Sequence, residues 1–558
     1  MTKQFLEPVP PALVLLPVIL ALFISCNSKS PVISSIDPKI GRMGEIITLR
    51  GNNFGASREE SYVSIAGMAP TNSLYFTWQD DLIVVRVPES GESGLVYVHV
   101  RGRKSNGVLF SNSAAVPRPI EGEDFGLEPR ITGISPQTGV PGTLITITGN
   151  NFGTSREGSL FSTLNGIQNN TGVFFSWDFE SPSNPYAIRE PEFIEVSETE
   201  LGYEAWSTRE IRIRLPDGAT SGNMEIRTPH GISRPVFFDV SGKPGYKNFT
   251  DKRRYTISYS VDVRILEASR PNTLYLWIPK PITSPSQRNV SLISLSMDPF
   301  VENHRGVSLF KLDNLVQGTT HTINLSFNVE VYSVETGMRP VYIRQGETLL
   351  FNMYTQSSNM IPSDNSQIIT TVNSIVGREQ NPYIRARLIY DWVLNNIEIV
   401  EAPFPVSSIA DILEQKKADP YNTALLYTTM ARAAKLPCIP IAGVLINRSN
   451  QTLRHYWAEF WIDGFGWLPV DPAMGGGAVP SSYITKQDLA NYYFGNAESQ
   501  RIAFSRGEIV LSQMESRGRL VSHPQSYSLQ NIWEEAAGGL ESYSSLWGDV
   551  IITGVYNQ

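Results

Sequence analysis

The chain has 558 residues, more than one hydrophobic core usually serves, so the sequence predicts several domains. Its 41% hydrophobic, 10% aromatic and 18% charged residues are typical of an ordered globular protein and exclude a disordered or fibrous one. The formal net charge is -8 and no basic stripe is present, so we expect no nucleic acid partner.

The N-terminus has the pattern of a secretory signal. An apolar run over residues 12–25 is interrupted by Pro17 and is short for a membrane span. The run ends at Cys26, which is followed by polar residues, and this arrangement resembles the lipobox of bacterial lipoproteins. One departure is Phe23, where the usual lipobox has leucine. We therefore expect residues 1–25 to be a signal peptide and Cys26 to be the lipid attachment site; an uncleaved anchor helix is the alternative.

The lipoprotein resemblance implies a membrane partner and a place in the bacterial cell envelope. Residue 27 is asparagine rather than the aspartate that retains some lipoproteins at the inner membrane, which favours the outer membrane, on its periplasmic face or at the cell surface. Cys438 is the second of two cysteines, so no disulfide framework is expected. The six histidines show no metal-ligand spacing, and we expect neither a metal nor another cofactor.

The N-terminal half contains an internal repeat. The sequence Gly-Asn-Asn-Phe-Gly occurs at residues 51–55 and again at 149–153, each time after a Pro/Gly turn and a short β-branched strand. Pro38 corresponds to Pro136 at the same offset of 98 residues. Glycine and asparagine tolerate the positive φ of a tight turn, so each copy predicts strand, turn and strand.

This repeated pattern resembles the IPT/TIG family of immunoglobulin-like β-sandwiches. It covers residues 31–112 (repeat 1) and residues 129–240 (repeat 2). The family serves as spacer, adhesion module or sugar-facing accessory, so the resemblance implies the fold but narrows the function little.

Repeat 2 has an acidic insertion at about residues 178–207. Its glutamates are Glu190, Glu192, Glu195, Glu198, Glu200 and Glu204. They lack the regular alternation of oxygen ligands that a calcium loop requires, so we interpret them as a solvated acidic excursion.

A third β-sandwich is predicted over residues 252–336. Apolar and polar residues alternate with a period of two over residues 255–265 and 323–331. Between these runs, Leu-Tyr-Leu-Trp-Ile-Pro-Lys-Pro at residues 274–281 resembles the β-sandwich that often precedes bacterial transglutaminase-like cores.

From about residue 366 the hydrophobic period becomes helical. Asn381 and Pro382 predict the start of one helix, and Asp419 and Pro420 the start of another that runs to Lys435. Strands are predicted next, from Cys438 to Ile446 and in a hairpin over residues 455–472.

This C-terminal part resembles the transglutaminase-like superfamily of papain-type folds, through the motif H-x-W-x-E at His455 and the motif G-W-x-x-x-D-P ending at Asp471 and Pro472. In the family these motifs carry the histidine and aspartate of a Cys-His-Asp triad. The resemblance implies that His455 and Asp471 occupy these two positions, in a core at residues 366–480 followed by a C-terminal extension at residues 481–558.

The nucleophile of this triad is missing. The family has its cysteine seventeen residues before the proline that is Pro437 here, and that position holds Pro420. Among the neighbouring side chains only Thr423 has a hydroxyl suited to attack, and its base would have to lie closer than the fold suggests. Cys438 follows the helix, roughly 20 Å from its start, and is interpreted as a buried core residue.

The sequence therefore predicts a multidomain chain of tandem immunoglobulin-like β-sandwiches, a third β-sandwich and an α+β transglutaminase-like (papain-type) core. We expect a lipid-anchored envelope protein whose residual triad, His455 and Asp471, is inactive and whose core binds a protein, peptide or glycan. Two alternatives stay open at this point. One is an active hydrolase or acyltransferase that uses His455 and Asp471 with an unidentified nucleophile, and the other is an adhesin or structural stalk acting through its repeats.

Overall fold

The computed structural model describes residues 29–89, 93–113, 127–154, 171–179, 192–197, 200–339, 343, 345–346 and 348–557. The predicted signal peptide and Cys26 lie outside the described residues, as do Glu190 and Glu198 of the insertion. The chain divides into two compact units, Met1–Phe125 and Gly126–Gln558. Within the described residues, no helix combines the length and the apolar character needed to cross a bilayer.

Repeat 1 is a two-sheet sandwich with its own core. Its strands are β1 (Val32–Asp37), β2 (Ile40–Gly41), β3 (Ile46–Asn52), β4 (Tyr62–Ile65), β5 (Tyr75–Trp78), β6 (Leu82–Arg86), β7 (Gly94–Val100), β8 (Arg103–Lys104) and β9 (Val108–Asn112). One sheet has the order β1-β3-β6-β5, and the other has the order β2-β9-β7-β4 with β8 beside β7. Alternate side chains of the two sheets meet between them, as the period of two predicts.

Repeat 2 has the same arrangement with one more strand. Its strands are β10 (Arg130–Ser135), β11 (Thr138–Gly139), β12 (Leu144–Asn150), β13 (Gly172–Trp177), β14 (Glu192–Glu195), β15 (Tyr203–Trp206), β16 (Glu210–Arg214), β17 (Gly222–Thr228), β18 (Gly231–Ile232) and β19 (Val236–Val240). The sheets are β10-β12-β16-β15 and β11-β19-β17-β13-β14. The predicted immunoglobulin-like fold of the repeat is confirmed.

The Gly-Asn-Asn-Phe-Gly motif has the same packing in both repeats. A Cβ at Gly51 would lie 2.0 Å from the Val32 carbonyl oxygen and 2.4 Å from the Phe54 ring. In repeat 2 the corresponding distances at Gly149 are 2.1 Å and 2.4 Å. The phenylalanine ring therefore packs directly on the glycine backbone, where a side chain would clash with it. This explains why glycine occupies the position in both copies.

The described part of the acidic insertion is not a solvated excursion, contrary to our interpretation. Residues 192–195 form β14, which extends a sheet of repeat 2. Glu192 lies 3.6 Å from Arg288, Glu200 pairs with Arg506, and Glu204 pairs with Arg214. Each of these three carboxylates has an arginine partner, two of them distant in the sequence, and composition alone does not show such partners.

The third sandwich is built on one very long strand. Its strands are β20 (Gly245–Pro279), β21 (Gln287–Leu295), β22 (Val301–His304), β23 (Val307–Asp313) and β24 (Thr320–Met338), in the order β21-β24-β20-β23-β22. Inward residues at alternate positions of β20 and β24 fill its core, as the alternation predicts.

The C-terminal core combines helices with a four-stranded sheet. Its helices are α1 (Leu349–Tyr354), α2 (Ser366–Val376), α3 (Pro382–Asn396), α4 (Ile412–Gln415), α5 (Pro420–Ala433), α6 (Pro472–Gly475) and α7 (Leu489–Tyr492). Strands β25 (Glu398–Ile399) and β26 (Lys417–Ala418) pair with each other, while β27 (Cys438–Ile446), β28 (Thr452–Ile462), β29 (Gly466–Val470) and β30 (Arg501–Arg506) form the sheet in the order β29-β28-β27-β30. The predicted helix starts are confirmed, because Asn381 and Asp419 cap α3 and α5 and a proline opens each helix.

The end of the chain returns to the third sandwich. Strand β31 (Arg519–Val521) pairs with β32 (Glu534–Trp547), and β32 and β33 (Ile551–Asn557) both pair with β20. Between β31 and β32, residues 522–530 form a segment that we call the strap. The C-terminal extension is thus part of the sandwich and runs back across the core.

Candidate functional site: a buried histidine and aspartate

The structure brings His455 and Asp471 together. His455 lies on β28, and Asp471 follows β29 as the cap of the short helix α6. The His455 Nε2 atom is 2.8 Å from Asp471 Oδ2, and the other carboxylate oxygen accepts the Met474 backbone N–H at 3.0 Å. The hairpin pairing of β28 with β29 and the turn into α6 hold the two side chains together.

Two further charged residues complete the buried network. Arg501 Nη1 lies 3.1 Å from Asp471 Oδ2, and its Nη2 lies 2.6 Å from Glu498 Oε1. The guanidinium also lies over the Trp457 ring, 4.8 Å from its centre. The sequence prediction missed Arg501 and Glu498 as site residues. The available signal was the charge of Arg501 immediately before the apolar residues 502–504 of β30.

The electrostatics of this network keep Asp471 ionised. Burial alone would raise the pKa of Asp471, but His455, Arg501 and the Met474 N–H together lower it below its ordinary value. The same oxygen of Asp471 serves both His455 and Arg501. The carboxylate that would stabilise an imidazolium is therefore already paired with a permanent cation.

His455 is closed to solvent. Its side chain is 0% exposed, and that of Asp471 is 2% exposed. Since Nε2 is bound to Asp471, Nδ1 is the nitrogen left for a nucleophile or a substrate. Nδ1 is buried and makes no hydrogen bond within the described part of the chain.

The expected nucleophile position offers no replacement. Pro420 is the first residue of α5, and Thr423 in the same turn is fully buried. The Thr423 hydroxyl donates to the Asp419 carbonyl oxygen at 2.6 Å, which commits its proton to the helix backbone. The Asn422 side chain donates to the Phe404 carbonyl oxygen at 2.9 Å. We find no group in this first turn that is set up to attack a substrate.

The chain itself covers this helix start. The Gln525 side chain of the strap donates to Asp419 Oδ2 at 2.9 Å, and the Tyr456 hydroxyl donates to the Ser526 carbonyl oxygen at 2.8 Å. Leu529 of the strap packs in one hydrophobic cluster with Ala424 of α5 and Tyr456 of β28. The strap therefore fills the space between α5 and the strand that carries His455.

Cys438 is also unsuited to nucleophilic attack. It is fully buried at the head of β27, and burial raises the pKa of its thiol to about 12, although the nearby Arg432 opposes this rise. The thiol is thus protonated at neutral pH. Among the described residues, no group of three or more histidine, cysteine or carboxylate side chains could hold a metal ion.

Comparison with known families agrees with the architecture. Residues 369–472 match the family model of the transglutaminase-like superfamily, and residues 31–114 and 129–163 match that of the IPT/TIG domain. The chain therefore carries IPT/TIG domains and a transglutaminase-like domain. The predicted fold class, tandem immunoglobulin-like sandwiches with an α+β transglutaminase-like core, is confirmed.

One curated relative is an uncharacterized protein of Haemophilus influenzae, 28% identical over 166 residues that cover 24% of this chain and 44% of the relative. The chain thus spans less than half the length of that relative. Among solved structures, a "Putative Cysteine Protease from Cytophaga hutchinsonii" is 16% identical with a TM-score of 0.36, covering 56% of this chain and 93% of that one. The periplasmic domain of TgpA from Pseudomonas aeruginosa is 14% identical with a TM-score of 0.25, covering 42% and 92%. At these values the likeness bears on neither activity nor ligand.

Proposed function

We propose that this protein is a lipoprotein of the bacterial cell envelope that binds a protein, peptide or glycan and whose transglutaminase-like domain is a non-catalytic scaffold. The lipid on Cys26 is its anchor, and the outer membrane is its location. The observation that carries the proposal is the state of His455, which is fully buried and bound to an aspartate shared with Arg501.

Covalent acyl chemistry needs three things at this place. It needs a nucleophile within hydrogen-bond reach of the imidazole, a carboxylate free to stabilise the imidazolium, and an opening for the substrate. Pro420 supplies no nucleophile, Asp471 is paired with Arg501, and the His455 side chain has no exposed surface for a substrate to reach. Each requirement fails because of a different residue, so a substitution that restores one requirement alone does not create a catalytic site.

The rival reading, a working enzyme with an unidentified nucleophile, finds no support in the same residues. The two candidates raised by the sequence are Thr423, whose hydroxyl donates to the backbone, and Cys438, whose thiol is buried and protonated. What is left for His455, Asp471, Arg501 and Glu498 is a structural role, as a hydrogen-bonded ionic network inside the core.

Histidine modification tests whether the site is closed. The full chain is treated with diethylpyrocarbonate at pH 7, and the modified histidines are located by peptide mass spectrometry. We expect His523, which is 33% exposed, to be modified in the native chain, and His455 to be modified only after denaturation. Native modification of His455 at a rate similar to that of His523 would show an open site and contradict the proposal.

Lipid labelling tests the anchor. Cells expressing the chain are grown with radiolabelled palmitate, and the chain is then immunoprecipitated and its membrane fraction measured. We expect label and membrane association in the wild type and in Cys438→Ser, and loss of both in Cys26→Ser. Label retained in Cys26→Ser would place the acyl chain elsewhere.

A further inference from the structure

One sheet face of repeat 1 carries aromatic side chains that its core does not use. Along β4 and β7, the inward residues are buried in the sandwich, and the outward residues form a second row on the other face. The outward row consists of Tyr62, Ser64, Leu95, Tyr97 and His99.

The rings of this row are held by one another. Tyr62 and His99 are opposite each other in the register and stack with ring centres 4.4 Å apart and planes 6° apart. The Ser64 hydroxyl lies 3.1 Å from His99 Nε2, and the edge of Tyr97 meets His99 at 6.5 Å. Lys104 Nζ lies over the Tyr97 ring at 3.6 Å. The Tyr62–His99 stack is thus fixed before any ligand arrives, which lowers the entropic cost of binding.

Tyr62 has one ring face left for a ligand. His99 covers one of its faces, and the side chain is still 40% exposed. Strand β4 is the last strand of its sheet among the described strands, so none of them lies beyond Tyr62. The solvent-reached part of the ring is therefore the face that points away from His99, together with its edge.

The fold does not require this stack. Repeat 2 has the same strand order, except that β14 extends the sheet beyond β13, and it has a corresponding buried core, with Tyr203 bonding to Val173 as Tyr75 bonds to Val63. On this alignment Gly172 stands where repeat 1 has Tyr62, and Arg227 stands where it has His99. Repeat 2 folds without such a stack, so folding does not explain why repeat 1 has one.

A peptide strand is not the favoured occupant of this edge. The outward Val63 N–H already donates to the Tyr75 hydroxyl at 2.9 Å. The outward N–H of Ile65 donates to the Met68 carbonyl oxygen at 2.7 Å, and the Met68 N–H returns to Ile65 at 2.9 Å. The donors that strand addition would use at these positions are already bonded.

The chemistry of the stack fits a sugar ring. Burial, assisted by Lys104, lowers the pKa of His99, so the imidazole is neutral at pH 7 and the stack carries no charge. The negative face of an aromatic ring attracts the C–H bonds on the apolar face of a pyranose, while the phenol and hydroxyl groups at its rim suit the sugar hydroxyls. The Lys104 ammonium faces Tyr97 and is not positioned as a free phosphate contact.

We propose that the Tyr62–His99 stack of repeat 1 binds a pyranose ring of an envelope glycan, with Tyr62 as the stacking surface. The inference rests on the binding role proposed above and gives it a site and a ligand class. It assigns recognition to the first compact unit, whereas His455 and Asp471 belong to the second.

Glycan binding by the full chain in detergent tests this site. The probes are purified peptidoglycan sacculi in co-sedimentation, and dextran, laminarin and xylan in affinity electrophoresis. We expect the wild type to bind at least one probe, Tyr62→Ala to weaken that binding about tenfold or more, and Tyr62→Phe to retain it. The matched control is Phe237→Ala, which removes a 62% exposed aromatic side chain from the corresponding sheet of repeat 2 and should leave binding unchanged.

Three results would overturn the inference. The first is that the wild type binds none of the four probes. The second is that Tyr62→Ala binds as well as the wild type does. The third is that binding to sacculi persists after their glycan strands are digested. Thermal unfolding of each variant separates lost binding from lost folding, since Tyr62→Phe keeps the ring and should keep both. These outcomes are independent of turnover at His455, so failure here leaves the non-catalytic assignment standing.

Discussion

The two repeats share a core and a strand order, yet they are integrated into the molecule differently. Repeat 1 lies in a compact unit of its own, whereas repeat 2 belongs to the unit that contains the third sandwich and the transglutaminase-like core. The difference lies in the contacts that Asp217 and Trp177 of repeat 2 make with the third sandwich and the core. Similar repeats can therefore form a separate module or a structural support for neighbouring domains. The Gly-Asn-Asn-Phe-Gly motif, which both repeats contain, does not distinguish these two roles.

A buried ion pair ties repeat 2 to its neighbours. Lys247 Nζ, at the start of the third sandwich, lies 2.7 Å from Asp217 Oδ1 of repeat 2 and 2.6 Å from the Trp467 carbonyl oxygen of the core. The Trp467 N–H donates back to Asp217 Oδ2 at 3.1 Å. Three domains thus meet at one lysine. In repeat 1 the position of Asp217 is held by Glu89, which is exposed.

Aromatic packing reinforces the same junction. Trp177 of repeat 2 contacts Phe249 and Tyr332 of the third sandwich, with ring centres 5.3 Å and 4.9 Å apart. All three side chains are buried in one cluster with the core of repeat 2. The hydrophobic core of this repeat continues into the sandwich, so the two should unfold together.

The largest effect is expected at the shared lysine. Lys247→Ala leaves Asp217 buried without its cation, which should lower the free energy of unfolding by about 3–5 kcal/mol. Scanning calorimetry should show this loss in the transition that contains repeat 2, with the transition of repeat 1 unchanged. The control Glu89→Gln alters the corresponding exposed carboxylate of repeat 1 and should shift neither transition. A loss of stability confined to repeat 2, with the core unaffected, would contradict a supporting role of repeat 2 for the core.

The buried network of His455, Asp471 and Arg501 lies in the same unit, so a substitution there should shift the same transition. Asp471→Asn removes the shared partner of His455 and Arg501 and should lower the free energy of unfolding at pH 7 by about 3 kcal/mol. The pKa of Asp471 is lowered in the folded chain, so its contribution is present above about pH 4 and is lost as the pH falls through the folded value. Urea unfolding at a series of pH values should therefore show the difference between wild type and Asp471→Asn shrinking below about pH 4. A difference that grows in acid would show that Asp471 is not held ionised.

Two glycines with positive φ test the junction of repeat 2 more finely: Gly466 lies on β29 of the core beside Asp217, and Gly67 lies in repeat 1. Gly466 has φ of 102°, and a Cβ there would lie 2.1 Å from Asp217 Oδ1, so Gly466→Ala should cost about 2–3 kcal/mol through strain and displacement of the ion pair. Gly67 of repeat 1 has φ of 86° with open space around it, so Gly67→Ala should cost about 1 kcal/mol through strain alone. Chemical denaturation of both variants measures the two costs. Equal costs would mean that the contact with Asp217 contributes nothing.

The smallest effect is expected at Cys438, where native conditions should produce no reaction at all. Burial raises the pKa of its thiol to about 12, so a maleimide at pH 7 should leave Cys438 unmodified until the chain is denatured. Peptide mass spectrometry follows this residue separately from Cys26. Rapid labelling of Cys438 under native conditions would show that the interior of the second unit opens. Cys438 would then be a candidate nucleophile again.

Short-range patterns in the sequence predicted much of this fold. The alternation over residues 255–265, the caps Asn381 and Asp419 and the hairpin that joins His455 to Asp471 depend on neighbours a few residues apart, and the structure contains each of them. Hydrophobic period, capping chemistry and turn residues act locally, so they can be recognised in one sequence.

The features that close the site could not be predicted in the same way. The strap residue Gln525 bonds to Asp419 across 106 positions, and Lys247 bonds to Trp467 across 220. Arg501 is 30 positions from Asp471, and its charge does not indicate which carboxylate it pairs with. Contacts of this range follow from the packing of whole domains, which a local period does not encode. The sequence thus showed that residue 420 is a proline, whereas the burial of His455 and the packing of the strap on α5 emerged only from the structure.

Turnover by the full chain tests the non-catalytic assignment most directly. Wild type, His455→Ala and Pro420→Cys are compared on a glutamine peptide with an amine acceptor, a peptide amide and an activated ester, with thermal unfolding as the control for folding. We predict that all three proteins are inert above background, since His455 is buried and Asp471 is paired with Arg501 in the wild type, and Pro420→Cys changes neither feature. Turnover by wild type that disappears in a stably folded His455→Ala would contradict the account and reveal an active site in which His455 works.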